Sequence, residues 1–151
     1  MIDLGKDLNR TLRSTNVARY SGSSFGRTPV SAEEARIEEA FGASKRLAIY
    51  GSLAPGESNH GLIAHVPGEY SDGFVHGELH AMGWGATIGF PAMRWNPSAA
   101  VFPVKLFVSE QLPHHWERLD RFEGEEYCRI LVPVYDDARV IAVANIYEGR
   151  E

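Results

Sequence analysis

An acidic side chain, Glu123, lies on the apolar face of a short helix predicted at residues 112–124. At about 100° per residue, a helix places Leu112, Trp116 and Leu119 on one narrow stripe with this acid. Because a carboxylate turned toward the interior loses water, its pKa should rise, and such acids are candidates for general acid and base catalysis. The alternative is a structural role, in which Glu123 caps its own helix or pairs with a surface arginine.

A second candidate site follows residues 46–50, a short apolar segment that is typical of a buried strand. The segment ends at Gly51-Ser52-Leu53, where glycine lets the backbone approach a ligand and successive N–H groups can bind an anion or a carbonyl oxygen. A plain strand-to-loop turn fits the same residues. The lysine of a P-loop is absent, and Ser52 lacks the Gly-x-Ser-x-Gly pattern of serine hydrolases, so a nucleotide site and a serine nucleophile are both disfavoured.

A possible metal site consists of His76, Glu78 and His80, which share one face of the strand predicted at residues 75–82. Nitrogen and oxygen donors of this kind bind zinc. Side chains two residues apart on one strand point in parallel directions, however, and converge poorly on a small ion. The solvated face of a strand is therefore the favoured interpretation, and no metal or cofactor is expected.

Further helices and strands are predicted around these residues. A capping box at residues 31–34 predicts a short helix that ends before Gly42, in which Glu34 reaches back to the first N–H. Residues 83–97 are rich in glycine, proline and tryptophan, and we expect a loop that covers or lines a cavity. Further strands are predicted at residues 101–108, 127–134 and 140–147, the last two joined as a hairpin.

Composition limits the class of protein. The chain has 151 residues, of which 44% are hydrophobic and 23% charged, as in an ordinary globular domain. A net charge of -5 argues against binding to nucleic acid or to an anionic membrane. The single cysteine, Cys128, excludes an internal disulfide. No secretory signal or membrane-spanning segment is visible, so we expect a cytoplasmic protein.

The beginning of the chain has a different character from the rest. Five basic residues in residues 1–29 outnumber two acidic ones, so this part is basic on an acidic protein. We predict an N-terminal arm and a short capped helix in residues 1–45, followed by the main domain in residues 46–151. The arm or linker is expected to pack either on the acidic body of its own chain or on a second subunit.

Two motifs occur together in this chain. Residues 50–53 read Tyr-Gly-Ser-Leu, and residues 119–124 read Leu-Asp-Arg-Phe-Glu-Gly, followed by Tyr127 and Arg129. This combination resembles the gamma-glutamylcyclotransferase-like family, whose members carry a Tyr-Gly-Ser/Thr-Leu turn and a later Leu-Asp-x-x-Glu-Gly segment followed by Tyr-x-Arg. The resemblance extends over residues 46–148.

The resemblance implies an α+β fold, in which a small mixed β-barrel is flanked by helices. It also implies an enzyme that cyclises a gamma-glutamyl amine or peptide to 5-oxoproline and releases the amine, with Glu123 as the general acid and base. The substrate-binding residues that it implies are Tyr50, Gly51, Ser52, Leu53 and Tyr127. Because the substrate's own α-amine attacks its γ-carbonyl, this reaction requires no protein nucleophile, metal or cofactor.

Other functions remain open at this point. The same fold could serve as a non-catalytic module that binds a small metabolite or a partner, with the basic arm as a docking element. A metal hydrolase built on His76, Glu78 and His80 is a further alternative. The expected partner is a small gamma-glutamyl compound, with no nucleic acid or membrane, and the expected assembly is a monomer or a homodimer. The motifs leave the identity of the amine open.

Overall fold

The computed structural model describes residues 7–21 and 31–150 of the chain, and these residues form three α-helices and six β-strands. Short 3-10 helices occur at Ala43–Lys45, His60–Leu62, Trp84–Ile88 and Leu112–His114. The helices are α1 (Leu8–Ser21), α2 (Ala32–Phe41) and α3 (Trp116–Glu123). The strands are β1 (Arg46–Ile49), β2 (Glu69–His80), β3 (Ala92–Trp95), β4 (Val101–Val108), β5 (Tyr127–Asp136) and β6 (Arg139–Gly149).

Five of the strands close a barrel. Hydrogen-bonded neighbours follow the order β1, β4, β2, β5, β6 and then β1 again. The β1–β6 pair is parallel, with Leu47 opposite Asn145, and the other four pairs are antiparallel. Strand β3 adds an antiparallel pairing with β2 and a parallel pairing with β6. The predicted α+β fold, a small mixed β-barrel flanked by helices, is confirmed.

Side-chain alternation explains why these strands close around a core. Along β4, Phe102, Val104 and Leu106 are buried, whereas the residues between them are exposed. Strand β5 is buried on both faces. Its residues Ile130 and Val132 belong to the barrel interior, while Leu131 packs outward beneath the first two helices. A continuous apolar run is expected for a strand that is covered on both sides.

Residues 8–21 of the predicted N-terminal arm or linker form helix α1, which packs on the barrel of the same chain, one of the two placements expected for the arm. Leu8 and Leu12 are buried in a cluster with Ile37 of α2. The Asn16 amide donates to the Leu131 carbonyl at 2.9 Å and accepts from the Leu131 N–H at 2.8 Å, so it satisfies backbone groups of β5. Residues 1–6 and 22–30 of the arm lie outside the described residues, and the domain boundary after residue 45 stays a prediction.

Helix α2 begins and ends as its sequence indicates, with one difference. The Ser31 hydroxyl accepts the Glu34 N–H at 3.1 Å, and Gly42 ends the helix in the left-handed conformation with φ 61°. The Glu34 carboxylate does not return to the Ser31 N–H as predicted. It accepts instead from Arg19 of α1 at 2.6 Å, because a buried carboxylate gains more from a guanidinium than from a backbone amide.

Two other segments differ from their predicted structure. The glycine- and proline-rich residues 83–97 were expected to be a loop, but they contain the 3-10 helix Trp84–Ile88 and strand β3. Strand β3 forms because its backbone pairs with β2 and β6, which local composition does not reveal. The helix predicted at residues 112–124 is divided into the 3-10 turn Leu112–His114 and helix α3.

Candidate active site

A cleft opens beside the end of β1 and the end of α3. Its volume is about 450 Å³, a figure that includes solvent at its open mouth. All six residues predicted for the site line this one cleft, namely Tyr50, Gly51, Ser52, Leu53, Glu123 and Tyr127. The fold therefore brings together two motifs that lie some seventy positions apart in sequence. Their individual roles stay predictions.

Helix α3 carries Glu123 to the cleft. Trp116 and Leu119 are 1% and 0% exposed, and this buried stripe fixes the rotation of the helix. Glu123 is the last helical residue and is half-buried. Gly124 ends the helix with φ 79°, a conformation that favours glycine, and its N–H donates to the Asp120 carbonyl at 3.0 Å.

The environment of the Glu123 carboxyl favours its neutral form. Burial raises its pKa from the ordinary value of 4.5 to about 8, and the nearby charge of Asp120 acts in the same direction. Within residues 7–21 and 31–150, no hydrogen bond or ion pair is made to the carboxyl oxygens of Glu123. A carboxyl group with a pKa this close to neutral pH can both accept and return a proton.

Asp120, one turn earlier on α3, ties the helix to the barrel. Its Oδ1 accepts from Arg129 Nε at 2.8 Å and from the Tyr147 hydroxyl at 2.7 Å, and its Oδ2 accepts from Arg129 Nη2 at 3.2 Å. The Arg129 guanidinium also lies 4.3 Å from the centre of the Trp116 ring. These contacts hold α3 against β5 and β6, and they set the position of Glu123.

The same buried network extends to the N-terminal helix. Both Arg129 Nη1 and Arg19 Nη1 donate to Asn145 Oδ1 at 2.7 Å. Arg19 also donates to the Arg129 carbonyl at 3.1 Å and pairs with Glu34 at 2.6 Å. The two guanidinium groups are balanced by the carboxylates of Glu34 and Asp120, which is the arrangement that buried charges require.

The turn at residues 50–53 lines the cleft. The Tyr50 hydroxyl donates to the Tyr147 carbonyl at 2.7 Å and accepts the Met93 N–H at 3.0 Å, so this ring is fixed, and burial raises its pKa well above 10.0. The Ser52 carbonyl accepts the Asn59 N–H at 2.8 Å. In the described part of the chain, the N–H groups of Ser52 and Leu53 donate to no other protein group.

A third wall comes from the segment between β2 and β3. Trp84 donates from Nε1 to the Glu123 carbonyl at 2.8 Å, and its ring meets the Tyr127 ring edge-on at 5.9 Å. The Tyr127 hydroxyl accepts the Gly85 N–H at 3.1 Å. Gly83 has φ 74°, and a Cβ there would lie 2.6 Å from the Tyr127 hydroxyl oxygen, so both the backbone and the packing require glycine.

Several lining residues were not predicted as site residues. Trp84, Gly85, Phe90 and Pro91 come from the segment that was expected only to line a cavity, and Tyr147 comes from β6. The glycine, proline and tryptophan content of residues 83–97 was the available signal, but it names no particular residue. The position of Tyr147 depends on strand pairing, and no local pattern marks it.

The three residues considered for zinc lie apart from this cleft. Nδ1 of His76 is 2.7 Å from the Ala99 carbonyl oxygen, and Nε2 of His80 is 3.8 Å from Glu78 Oε1. Among the residues that the structure describes, no group of three or more His, Cys, Asp or Glu side chains is arranged to hold a metal ion. The side chains of Glu78 and His80 are about half exposed.

The family model described as gamma-glutamyl cyclotransferase, AIG2-like, matches residues 47–151, and the chain belongs to this family. No curated protein matches the chain in sequence. YkqA from Bacillus subtilis is a similar solved structure, with 26% identity and a TM-score of 0.54. The match covers 70% of this chain but 36% of YkqA, so this chain spans about a third of that protein's length.

Two further solved structures share the fold. The uncharacterized protein PH0828 from Pyrococcus horikoshii has 17% identity, and an AIG2-like protein from Mus musculus has 19% identity. Each match has a TM-score of 0.50 and covers 69% of this chain and 76% of the other. Their similarity concerns the fold, which supports many functions in general.

Membrane insertion by a helix has no support in the described residues. None of their helices combines the length and the apolar character that a bilayer crossing demands.

Proposed function

We propose that the protein is a cofactor-independent cyclotransferase, which converts a gamma-glutamyl amine or peptide to 5-oxoproline and releases the amine. The observation that carries the proposal is the half-buried Glu123 carboxyl, which faces the same cleft as the turn at residues 50–53 and has a pKa raised to about 8. Membership of the gamma-glutamyl cyclotransferase, AIG2-like family supports the same reaction class.

Glu123 acts in this proposal as the general base and then as the general acid. In its ionised form it takes a proton from the substrate's α-ammonium group, and the freed amine attacks the γ-carbonyl carbon. Carbon–nitrogen cleavage then releases the amine as the five-membered lactam forms. Of the three ammonium protons, two move to the leaving nitrogen and one stays on the lactam nitrogen, so the reaction needs no water and no oxidant.

The turn at residues 50–53 supplies the electrostatic part of the mechanism. The N–H groups of Ser52 and Leu53 are available to bind the oxyanion that develops on the γ-carbonyl oxygen, or the glutamyl carboxylate. Tyr50 and Tyr127 are held by hydrogen bonds to the backbone, so they shape the cavity without rearrangement. A preorganised cavity that bends the substrate supplies much of the rate for an intramolecular attack.

The proposal also covers the binding partner, the cellular location and the assembly of the protein. A small gamma-glutamyl compound is its partner, and the net charge of -5 supports a protein that binds neither nucleic acid nor anionic membranes. We place it in the cytoplasm, as a monomer or a homodimer. Size-exclusion chromatography with light scattering distinguishes the two assemblies.

The test is release of 5-oxoproline, measured by mass spectrometry, from a mixed panel of gamma-glutamyl amino acids and amines. Wild type should release it, and Glu123→Gln should lose at least about 100-fold in kcat because proton transfer typically contributes that much. Glu117→Gln is the matched control, since Glu117 lies exposed on the same helix and pairs with Arg121 at 3.0 Å. It should retain wild-type activity.

The outcome also separates an enzyme from a binding module. If neither wild type nor Glu123→Gln forms 5-oxoproline, while both bind a gamma-glutamyl compound with the same affinity, the cleft is a non-catalytic metabolite site. If the folded Glu123→Gln variant keeps full activity, Glu123 is not the base. Circular dichroism of each variant establishes that it is folded.

A further inference from the structure

One side of the cleft is aromatic and apolar, and it has no role in the proton transfer or the oxyanion binding proposed above. We propose that Trp84, Phe90 and Pro91 form the subsite for the leaving amine, and that this subsite selects amines with an uncharged, flat, apolar substituent and excludes amines that carry a carboxylate. The inference rests on the proposed cyclisation, because it divides the same cleft between the two halves of a gamma-glutamyl amide.

The position of the subsite follows from the positions of the other groups. The α-ammonium must lie beside Glu123, and the γ-carbonyl must lie within reach of the Ser52 and Leu53 N–H groups. Both constraints place the glutamyl half between the end of α3 and the turn after β1. The lining that remains carries no charge. It consists of residues 47–49 on β1, Tyr127, Tyr147 and the segment that contributes Trp84, Gly85, Phe90 and Pro91, and we place the amine substituent against that segment.

Hydrogen bonds and ring contacts make the segment from Trp84 to Pro91 rigid. The Trp84 indole N–H donates to the Glu123 carbonyl at 2.8 Å, and the Phe90 N–H donates to the Gly85 carbonyl at 2.9 Å. The Trp84 ring also packs edge-on against Phe122 at 5.2 Å. A rigid aromatic wall binds a flat apolar group at little cost in conformational entropy. It is therefore suited to an aromatic amine.

The charge of the cleft explains why leaving amines that carry a carboxylate are excluded. Of the described residues that line the cleft, Glu123 alone has a charged side chain, and it becomes negative when it acts as the base. A carboxylate on the leaving amine would lose water against Trp84 and Phe90 without a cation to replace it. It would also be repelled by the ionised Glu123. Gamma-glutamyl amino acids should therefore be poor substrates.

Three compounds test the two halves of the inference. Gamma-glutamyl-phenethylamide and gamma-glutamyl-phenylalanine differ by one carboxylate, and gamma-glutamyl-ethylamide lacks the ring. For wild type, kcat/KM for the phenethylamide should exceed that for each of the other two by at least about tenfold. Turnover is followed as 5-oxoproline release by mass spectrometry.

Two variants test whether the aromatic side chains that line the cleft cause the preference for an aromatic amine. Phe90→Ala should reduce the ratio of kcat/KM for the phenethylamide to that for the ethylamide by at least about fivefold, mainly through KM, because it removes ring contacts. Phe74→Ala is the matched control, since this side chain is 39% exposed on β2 and does not line the cleft. It should leave the ratio unchanged.

The results separate the subsite from the reaction. Equal or faster turnover of the phenylalanine compound, or an unchanged ratio in Phe90→Ala, overturns the subsite while the cyclisation stands. If no compound yields 5-oxoproline, the proposed cyclisation is refuted. Calorimetric measurement of the binding of the intact compounds then tests whether the subsite exists. At least tenfold tighter binding of the phenethylamide then supports it, and equal binding or no binding overturns it.

Discussion

Replacing Glu123 with glutamine should stabilise the protein, and the gain should grow with pH. Burial and the charge of Asp120 raise the pKa of Glu123 to about 8 in the folded protein, whereas the unfolded chain has the ordinary value of 4.5. Between these values the folded state holds a proton that the unfolded state has released, so stability falls as pH rises. Glutamine resembles the neutral carboxyl group and does not titrate, so the variant escapes this loss.

The size of the effect follows from the two pKa values. They differ by 3.5, and a difference of one corresponds to about 1.36 kcal/mol, so the full loss in wild type is about 5 kcal/mol. By the same linkage relation the variant should exceed wild type in free energy of unfolding by about 1 kcal/mol at pH 5, about 3 kcal/mol at pH 7 and nearly the full amount at pH 9.

Urea unfolding followed by tryptophan fluorescence measures this difference at each pH from 5 to 9. Glu117→Gln is the control, because its side chain is 65% exposed on the same helix, and its difference from wild type should not grow with pH. A difference for Glu123→Gln that stays constant from pH 5 to pH 9 would refute the reasoning, since Glu123 would then ionise in the folded protein as it does in the unfolded chain.

The buried network around α3 yields two more predictions. Arg19→Met should cost about 3 to 5 kcal/mol in urea unfolding because it leaves the Glu34 carboxylate buried without its cation, and Arg19→Met combined with Glu34→Met should recover most of this loss. Asp120→Asn should lower the pKa of Glu123, since the Asp120 charge raises it. The lower pKa should move the midpoint of the pH dependence of kcat/KM for 5-oxoproline release toward lower pH.

Exposed residues provide the controls for both predictions. Arg13→Met changes an exposed arginine on α1 and should stay within about 0.5 kcal/mol of wild type. Equal stability of Arg19→Met and Arg13→Met would show that the Glu34 pair contributes nothing. Asp136→Asn changes an exposed residue at the end of β5 and should leave the pH midpoint in place. A midpoint that rises or does not move in Asp120→Asn contradicts the assigned cause.

The secondary structure could be predicted best where one local pattern dominates. Strand β4 matches its predicted span because β-branched and aromatic residues predominate over its eight positions, and α2 has a serine cap and a terminal glycine. Helix α1 was missed because Leu8 and Leu12 are its only buried apolar side chains, while its other buried residues are polar. Those polar residues are buried because Asn16 and Arg19 find partners on the barrel.

The site residues, like the secondary structure, could be predicted only where a local motif marks them. Glu123 and the turn at residues 50–53 were predicted because each belongs to a contiguous motif, and the structure brings both to one cleft. Asp120 lies within such a motif, but its importance depends on contacts with Arg129 and Tyr147 across the barrel. Trp84 is anchored by a hydrogen bond to Glu123, and residues 83–97 show no period that would predict this contact.

The sequence by itself determined the family, the class of fold, the candidate acid and the motif at residues 50–53, because these depend on residue types at fixed local spacing. Tertiary structure decided the pKa of Glu123, the lining opposite the turn, and the part that α1 takes in the buried network. Burial, electrostatic coupling and hydrogen bonds between distant strands arise only when the barrel closes, so no local pattern of residues specifies them.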